Sequence, residues 1–161
     1  HARMTAPTDF NPTPHIPCGC RQVAVYGTLR RGGSNDIRRW QADVRWLGHC
    51  RLPGQLHDLG PYPGLVLDGS YKVLAEVYEL NPALERELDR VEEIWPVDIG
   101  EYAKHIVDVE LLPLDGGPPQ PMPVLIYVAQ PAGVQGRAVI DTDDWLAWWT
   151  QRQGDSPQNR K

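Results

Sequence analysis

Two carboxylates and one glycine-bearing loop are the residues of this sequence best suited to do chemistry. Glu92 and Glu93 follow a segment in which Leu84, Leu88 and Val91 stand at i, i+4 and i+7, the spacing of a helix with one buried stripe. At about 100° per residue, Glu92 falls at the border of that stripe and Glu93 on the far side. A carboxylate at the edge of a buried face is partly desolvated. Its pKa then rises toward the range in which it can take up and return a proton. A solvated carboxylate in the last turn of a helix has the same pattern, and the spacing alone does not separate the two.

The loop is Tyr26-Gly27-Thr28-Leu29, which follows the β-type run Val23-Ala24-Val25. A strand that ends at a glycine and turns leaves backbone N–H groups without a ladder partner, and such groups can form a concave anion site. An ordinary surface turn reads the same way. Arg30, Arg31, Arg38 and Arg39 follow closely and read as a solvated basic face that can help draw in an anion.

The elements that must position these groups are short. Ser34-Asn35 precede a short polar-capped helix at Asp36–Trp40. Trp46 to Leu59 reads as a strand broken at Pro53-Gly54, and Gly60–Gly64 as a tight corner. Leu65–Leu67 is a short strand, Asp68-Gly69 a hairpin turn, and Val73–Leu80 a clear strand in which Glu76 reads as pointing outward. Asn81-Pro82 start the helix that carries Glu92 and Glu93, with Glu85 favoured near its N-terminus by the helix dipole, and Trp95-Pro96 end it. Tyr102–Leu112 and Val124–Ala129 are strands. Asp141–Asp144 cap a final helix whose Trp145, Trp148 and Trp149 read as core packing. Six or so short strands with two or three helices predict an α+β domain whose strands curl into a small mixed, largely antiparallel β-barrel.

The chain has 161 residues, enough for one core, with 41% hydrophobic residues and a net charge of −5. The acidic balance disfavours nucleic acid and anionic membranes as partners. Fifteen glycines and sixteen prolines exclude a bundle of long helices. Residues 1–20 read as a flexible leader, 21–153 as the single domain and 154–161 as a flexible tail. His1 to Arg3 look like a purification-tag remnant, with Met4 as the native start. No apolar run approaches the ~20 residues needed to span a bilayer. Cys18, Cys20 and Cys50 are an odd set without a secretion signal, which points to reduced thiols and a cytoplasmic location. The spacing of Cys18 and Cys20 is not that of a zinc ribbon, and no metal site is expected.

Three strings together resemble the γ-glutamylcyclotransferase-like family, of the γ-glutamylamine cyclotransferase type. Tyr26-Gly27-Thr28-Leu29 looks like its signature loop. Ala75-Glu76-Val77-Tyr78 is similar to its Gly-Glu-Val-Tyr strand. Leu88-Asp89-Arg90-Val91-Glu92 resembles its Leu-Asp-x-x-Glu segment, whose Glu is the acid/base. The resemblance runs from about Val23 to Ala129 in order and spacing. The sequence departs from the family at Glu93, where the family commonly has Gly, and at Lys104, where it often has Arg.

The resemblance implies a cofactor-independent reaction on a small-molecule γ-glutamyl substrate. The substrate's α-amine attacks its own γ-carbonyl, releasing 5-oxoproline and a free amine, with Glu92 moving the proton. Gly27, Thr28 and Leu29 would supply backbone N–H groups, and Tyr26, Tyr102 and Tyr127 hydroxyl donors. Substrate choice would rest on rims at Gly60–Gly64 and Asp115–Pro121. A binding or regulatory module that keeps the fold without turnover is the alternative. It is distinguished by a Glu92 that faces solvent rather than a pocket. The pattern specifies neither the amine nor an oligomeric state.

Overall fold

The alternation of apolar residues builds a closed barrel with a second apolar layer outside it. The computed structural model describes residues 13–154, so residues 1–12, where the tag remnant and the first part of the leader are expected, and residues 155–161 of the expected tail lie outside the described residues. The strands are β1 (Gln22–Val25), β2 (Trp46–Asp58), β3 (Pro63–Glu79), β4 (Tyr102–Pro113), β5 (Gln120–Ala129) and β6 (Val139–Ile140). The helices are α1 (Pro82–Val91), α2 (Pro131–Val134) and α3 (Trp145–Gly154), with a 3-10 turn at Ile37–Arg39. Sheet order β3-β1-β5-β4-β2-β6, with β2 also paired to β3, closes five strands into a mixed barrel. Only β1 and β5 run parallel; the remaining pairings are antiparallel.

Period-two alternation sorts each strand between the two layers. Ala24, Val124, Ile126 and Val128 join Leu52, Leu56 and Leu65 inside the barrel, with Trp145 closing one side. Their neighbours Val23, Val25, Leu125 and Tyr127 pack outside it, against Leu84 and Leu88 of α1. Trp145 stacks on Trp149 with ring centroids 5.4 Å apart, and Trp148 and Trp149 pack against the barrel interior. Trp145 is core, as the spacing predicts, while Trp148 and Trp149 are half-buried.

Three expectations are corrected. Pro53-Gly54 does not break β2; the strand runs through, with register shifts at that point. Asp68-Gly69 is not a hairpin turn. Gly54 pairs with Leu67 and Pro53 with Tyr71, so residues 68–70 are extra residues on β3, a bulge that Gly69 allows at φ +83°. The hairpin turn is Leu59–Tyr62 instead, with Leu59 N donating to Tyr62 O at 3.2 Å. β5 also starts earlier than expected, at Gln120. Pro121 and Pro123 are accommodated there because β5 meets β1 only at Leu125, so the missing N–H groups interrupt no ladder on that side.

Glu76 does not point outward, and Arg30 is not solvated. Both are buried, at 4% and 7% exposure. Glu76 Oε2 accepts from Arg30 Nε at 3.0 Å; its Oε1 accepts from Arg31 N at 2.8 Å and from the Tyr78 hydroxyl at 2.7 Å. Arg30 also donates to Asp144 Oδ1 at 2.8 Å, and Asp144 in turn accepts from Ala147 N in the first turn of α3. Arg31 lies over the Trp46 ring at 4.8 Å. Of the four arginines, only Arg38 and Arg39 are exposed.

Removing one partner of a buried, hydrogen-bonded pair leaves the other uncompensated, at a cost of about 3–5 kcal/mol. Glu76→Ala is therefore expected to lower unfolding stability by about that amount. Urea denaturation at neutral pH checks this, and a loss below ~1 kcal/mol would show that Arg30 finds a substitute partner.

Candidate active site

The strand β1 ends at Val25, and the loop that begins at Tyr26 folds back on itself. Arg30 N donates to Gly27 O at 3.1 Å, Asn35 N to Thr28 O at 3.0 Å, and Ile37 N to Leu29 O at 2.9 Å. All three carbonyls of Gly27–Leu29 are thus used, whereas no acceptor among the described residues bonds the N–H of Gly27, Thr28 or Leu29. Glycine is required at 27 by a close approach. A Cβ there would lie 2.7 Å from Pro63 Cγ. Asp36, not Ser34 or Asn35, caps the 3-10 turn that follows, accepting from Arg38 N. Asn35 is left beside the loop, its amide within 3.3 Å of Thr28 Oγ1.

Helix α1 is capped at its start as predicted, with Asn81 Oδ1 accepting from Leu84 N at 2.8 Å. Its C-cap is Glu92, and the next residue, Glu93, stands at φ +56°. The left-handed conformation is the usual helix-ending position of glycine. The family's glycine therefore has a geometric reason, and Glu93 occupies its place. This also corrects the helical-wheel reading. A progression of 100° per residue does not extend past the C-cap, so Glu93 turns back to the same cavity as Glu92 rather than away from it.

That cavity, about 160 Å³, is lined on one side by Ala24, Val25, Tyr26, Gly27, Thr28, Leu29 and Asn35. On the other side lie Tyr62, Pro63, Val91, Glu92, Glu93, Glu101, Tyr102 and Tyr127. An apolar cavity of similar size, ~150 Å³, holds one benzene-sized molecule. All seven site residues named from the sequence meet here. Asn35, Tyr62, Pro63, Glu93 and Glu101 join them. The expected rim at Gly60–Gly64 contributes Tyr62 and Pro63; Asp115–Pro121 contributes none of the lining residues.

The three phenols named as hydroxyl donors already donate to protein acceptors. Tyr26 OH donates to Tyr127 O at 2.7 Å and accepts from Leu65 N at 3.0 Å. Tyr102 OH donates to Pro63 O at 2.7 Å, and Tyr127 OH to Asp89 Oδ1 at 2.6 Å. Burial foremost, with nearby negative charge, pushes all three phenols well above their ordinary range. They are fixed, neutral walls.

Glu92, half-buried on the cavity wall, differs from the buried acids Glu76, Glu85 and Asp89: no donor among the described residues bonds its carboxylate. Burial pushes its pKa up to about 8, with the charges of Glu101, Asp89 and Glu93 adding to the effect. An α-amino group titrates near the same value, about 8. Asp89, one turn earlier, has the opposite surroundings. Its Oδ2 accepts from Lys104 Nζ at 2.8 Å and pairs with His15 Nε2 at 2.7 Å. Lys104 also donates to Glu85 Oε2 at 2.6 Å, which accepts in addition from Cys18 N. Glu85 is thus a buried partner of Lys104, more than a dipole residue. Burial opposes the Lys104 charge, but the bonds to Asp89 and Glu85 outweigh it and raise its pKa. The ligand atoms of His15, Glu85 and Asp89 lie within 4.8 Å of one another, close enough for a cation. The Lys104 ammonium supplies that positive charge. Residues 13–20 are held along α1 by these bonds and by Trp95 Nε1 donating to Thr13 O at 2.7 Å.

The raised pKa of Glu92 is also a statement about stability. From about pH 4.5 to 8 the folded chain holds the Glu92 proton and the unfolded chain releases it, so the contribution of this residue falls as pH rises through that window. Glu92→Gln removes the ionisation. The variant is expected to gain stability relative to the parent at pH 9 and to show a smaller difference at pH 5. Thermal unfolding at the two pH values measures the crossover. Glu93→Gly is expected to raise stability by up to ~1 kcal/mol by relieving the left-handed conformation.

Residues 23–147 match the family described as gamma-glutamyl cyclotransferase, AIG2-like. A protein of Vibrio cholerae serotype O1 with a provisional gamma-glutamylcyclotransferase name is 40% identical over 94 residues, covering 53% of this chain and 70% of that protein. Among solved structures, YkqA of Bacillus subtilis superposes with a TM-score of 0.59 at 23% identity, over 86% of this chain and 44% of YkqA. An AIG2-like protein of Mus musculus gives a TM-score of 0.59 at 18% identity, over 88% of this chain and 94% of the mouse protein. YtfP of Escherichia coli gives 0.53 at 29% identity, over 78% of this chain and 96% of YtfP. The first two of these structural likenesses bear on the fold alone. The family match covers the loop, the barrel and the helix that carries Glu92, and on that ground the chain belongs to the AIG2-like gamma-glutamyl cyclotransferase family.

Proposed function

We propose that the protein releases 5-oxoproline and a free amine from a γ-glutamyl amine or peptide, with Glu92 as general acid and base. The observation that carries this reading is the cavity itself: Glu92, to whose carboxylate no described residue donates, and Gly27–Leu29, from whose N–H groups no described residue accepts, line the same small space. The first can move a proton, and the second can hold negative charge.

The nitrogen of the neutral α-amine attacks the γ-carbonyl carbon and forms the new C–N bond of a five-membered lactam. Glu92 takes the proton that the nitrogen sheds. The carbonyl electron pair moves to oxygen and returns as the bond to the leaving amine breaks. Glu92 then gives its proton to that amine. The sum is substrate to 5-oxoproline plus amine, with no co-reactant. A Glu92 proton affinity raised toward that of amines narrows the gap for both transfers, which favours one group serving in both directions. The N–H groups of Gly27–Leu29 hold either the α-carboxylate or the developing oxyanion. The small cavity with its phenol walls holds the glutamyl half folded on itself, lowering the entropic cost of ring closure. A Glu92 in the cavity, rather than facing solvent, favours turnover over a purely binding module.

Glu92→Gln is expected to reduce 5-oxoproline release by about 10²–10⁴-fold without unfolding the protein. Glu93→Gln should cost far less. Acylating the substrate's α-amine should abolish turnover, whereas varying the leaving amine should change efficiency gradually. A screen of γ-glutamyl amines and peptides for 5-oxoproline tests the set, and full activity in Glu92→Gln would overturn the assignment.

A further inference from the structure

Glu101 is a second carboxylate on the same cavity, and its place is fixed. Tyr62, from the β2–β3 turn, donates its hydroxyl to Glu101 Oε2 at 2.9 Å. The Glu101 backbone carbonyl accepts from Gln130 N at 2.9 Å, which ties the head of β4 to the end of β5. Tyr62 and Tyr102 lie with ring centroids 6.3 Å apart, so the phenol that holds Glu101 is itself braced. We propose that Glu101, pinned by Tyr62 on the cavity that Glu92 shares, is a positioning residue that acts on Glu92 through its fixed charge.

The groups around Glu92 leave few other sources for that effect. Tyr26 faces it from the end of β1, Tyr62 from the turn, Tyr102 from β4 and Tyr127 from β5, all as phenols. Asp89 on α1 carries charge, but Lys104 and His15 are bonded to it. Glu93 is exposed to solvent, which screens it. No lysine or arginine lines the cavity; the cation nearest this wall is Arg137, exposed to solvent, whose charge is felt at Tyr62 and is screened there. After burial, Glu101 contributes the largest upward push on Glu92. A like charge held close disfavours ionisation of its neighbour, and the Tyr62 bond keeps Glu101 from swinging out to relieve it.

The inference rests on the acid–base reading of Glu92, yet it can be tested without turnover. The probe is a carboxyl ¹³C NMR titration of Glu92 in the free protein, with pH profiles of 5-oxoproline release alongside. Glu101→Gln keeps an acceptor for Tyr62 and removes the charge. It is expected to lower the Glu92 midpoint by on the order of one pH unit and to move the acid limb of kcat/KM with it. Glu101→Asp, which keeps the charge, should restore most of the shift. Tyr62→Phe should lower the midpoint part of the way, and Glu93→Gln should move it much less than Glu101→Gln. An unchanged Glu92 midpoint in Glu101→Gln, or an equal shift in Glu93→Gln, overturns the proposal. Failure of the wild-type protein to release 5-oxoproline would overturn the functional reading instead, leaving the titration to decide the role of Glu101.

Discussion

The site depends on one buried carboxylate that does no chemistry. Glu76 on β3 gathers Arg30, Arg31 and Tyr78 beneath the loop that follows β1. The loop needs this because its own hydrogen bonds run one way. At Gly27–Leu29 the carbonyls are used while no described residue accepts from the N–H groups, and a loop with spare donors would otherwise relax toward whatever satisfies them. Arg30 carries the restraint on to Asp144 and so to α3, which closes the barrel. The cradle is thereby anchored to both apolar layers. A buried ion pair contributes little net stability compared with apolar packing, because desolvation offsets most of its attraction. What it supplies is a definite position for the three residues Gly27–Leu29.

Acids removed from solvent serve different ends on this fold, and donor supply separates them. Glu76 and Asp89 each have three partners and are held as structural anions. Glu92 has burial without donors. Desolvation then acts on it unopposed, and neighbouring acids add to the effect. The same chain that gives Asp89 a lysine gives Glu92 only phenols whose hydroxyl protons are spent elsewhere. An unpaired buried carboxylate is costly, and costly arrangements of this kind concentrate where proton affinity is used.

Much of this can be read in the sequence, and what cannot has identifiable causes. The strands around Val23, Val73 and Val124 are legible because their alternation is regular. The α1 start is legible because Asn81-Pro82 is a capping pair. Glu76 is not. Its neighbours Ala75 and Val77 face the barrel interior, so a single strand's pattern assigns Glu76 to solvent. The pattern does not carry the fact that the loop covers this part of the outer face. Glu85 and Asp89 are hidden for a similar reason. Their neutralising partner, Lys104, stands on a strand 15 and 19 residues away. Asp68-Gly69 is a strong turn dipeptide, but a bulge needs the same left-handed glycine. Which of the two forms is decided by what β2 pairs with.

Glu93 shows how a local departure and the wider site fit together. A glycine at that position would end α1 at less conformational cost. A glutamate there accepts the left-handed backbone and adds a carboxylate to a rim that already holds Glu92 and Glu101. The rim thus carries negative charge at its mouth while its opposite wall offers backbone donors. A γ-glutamyl head group has the complementary layout, an α-ammonium beside an α-carboxylate. The two ends of that zwitterion call for opposite surroundings a few ångströms apart. A cavity with donors on the loop side and acids on the helix side meets that demand without a lysine or arginine in its lining. It is also economical in electrostatic terms. A fixed cation in the wall would grip the carboxylate more strongly, but it would also stabilise the charged form of Glu92 and pull its proton affinity away from that of the amine. On the function proposed above, neutral N–H groups would hold the anion at a smaller disturbance to the acid, and a lining without a basic side chain would leave the proton affinity of Glu92 raised.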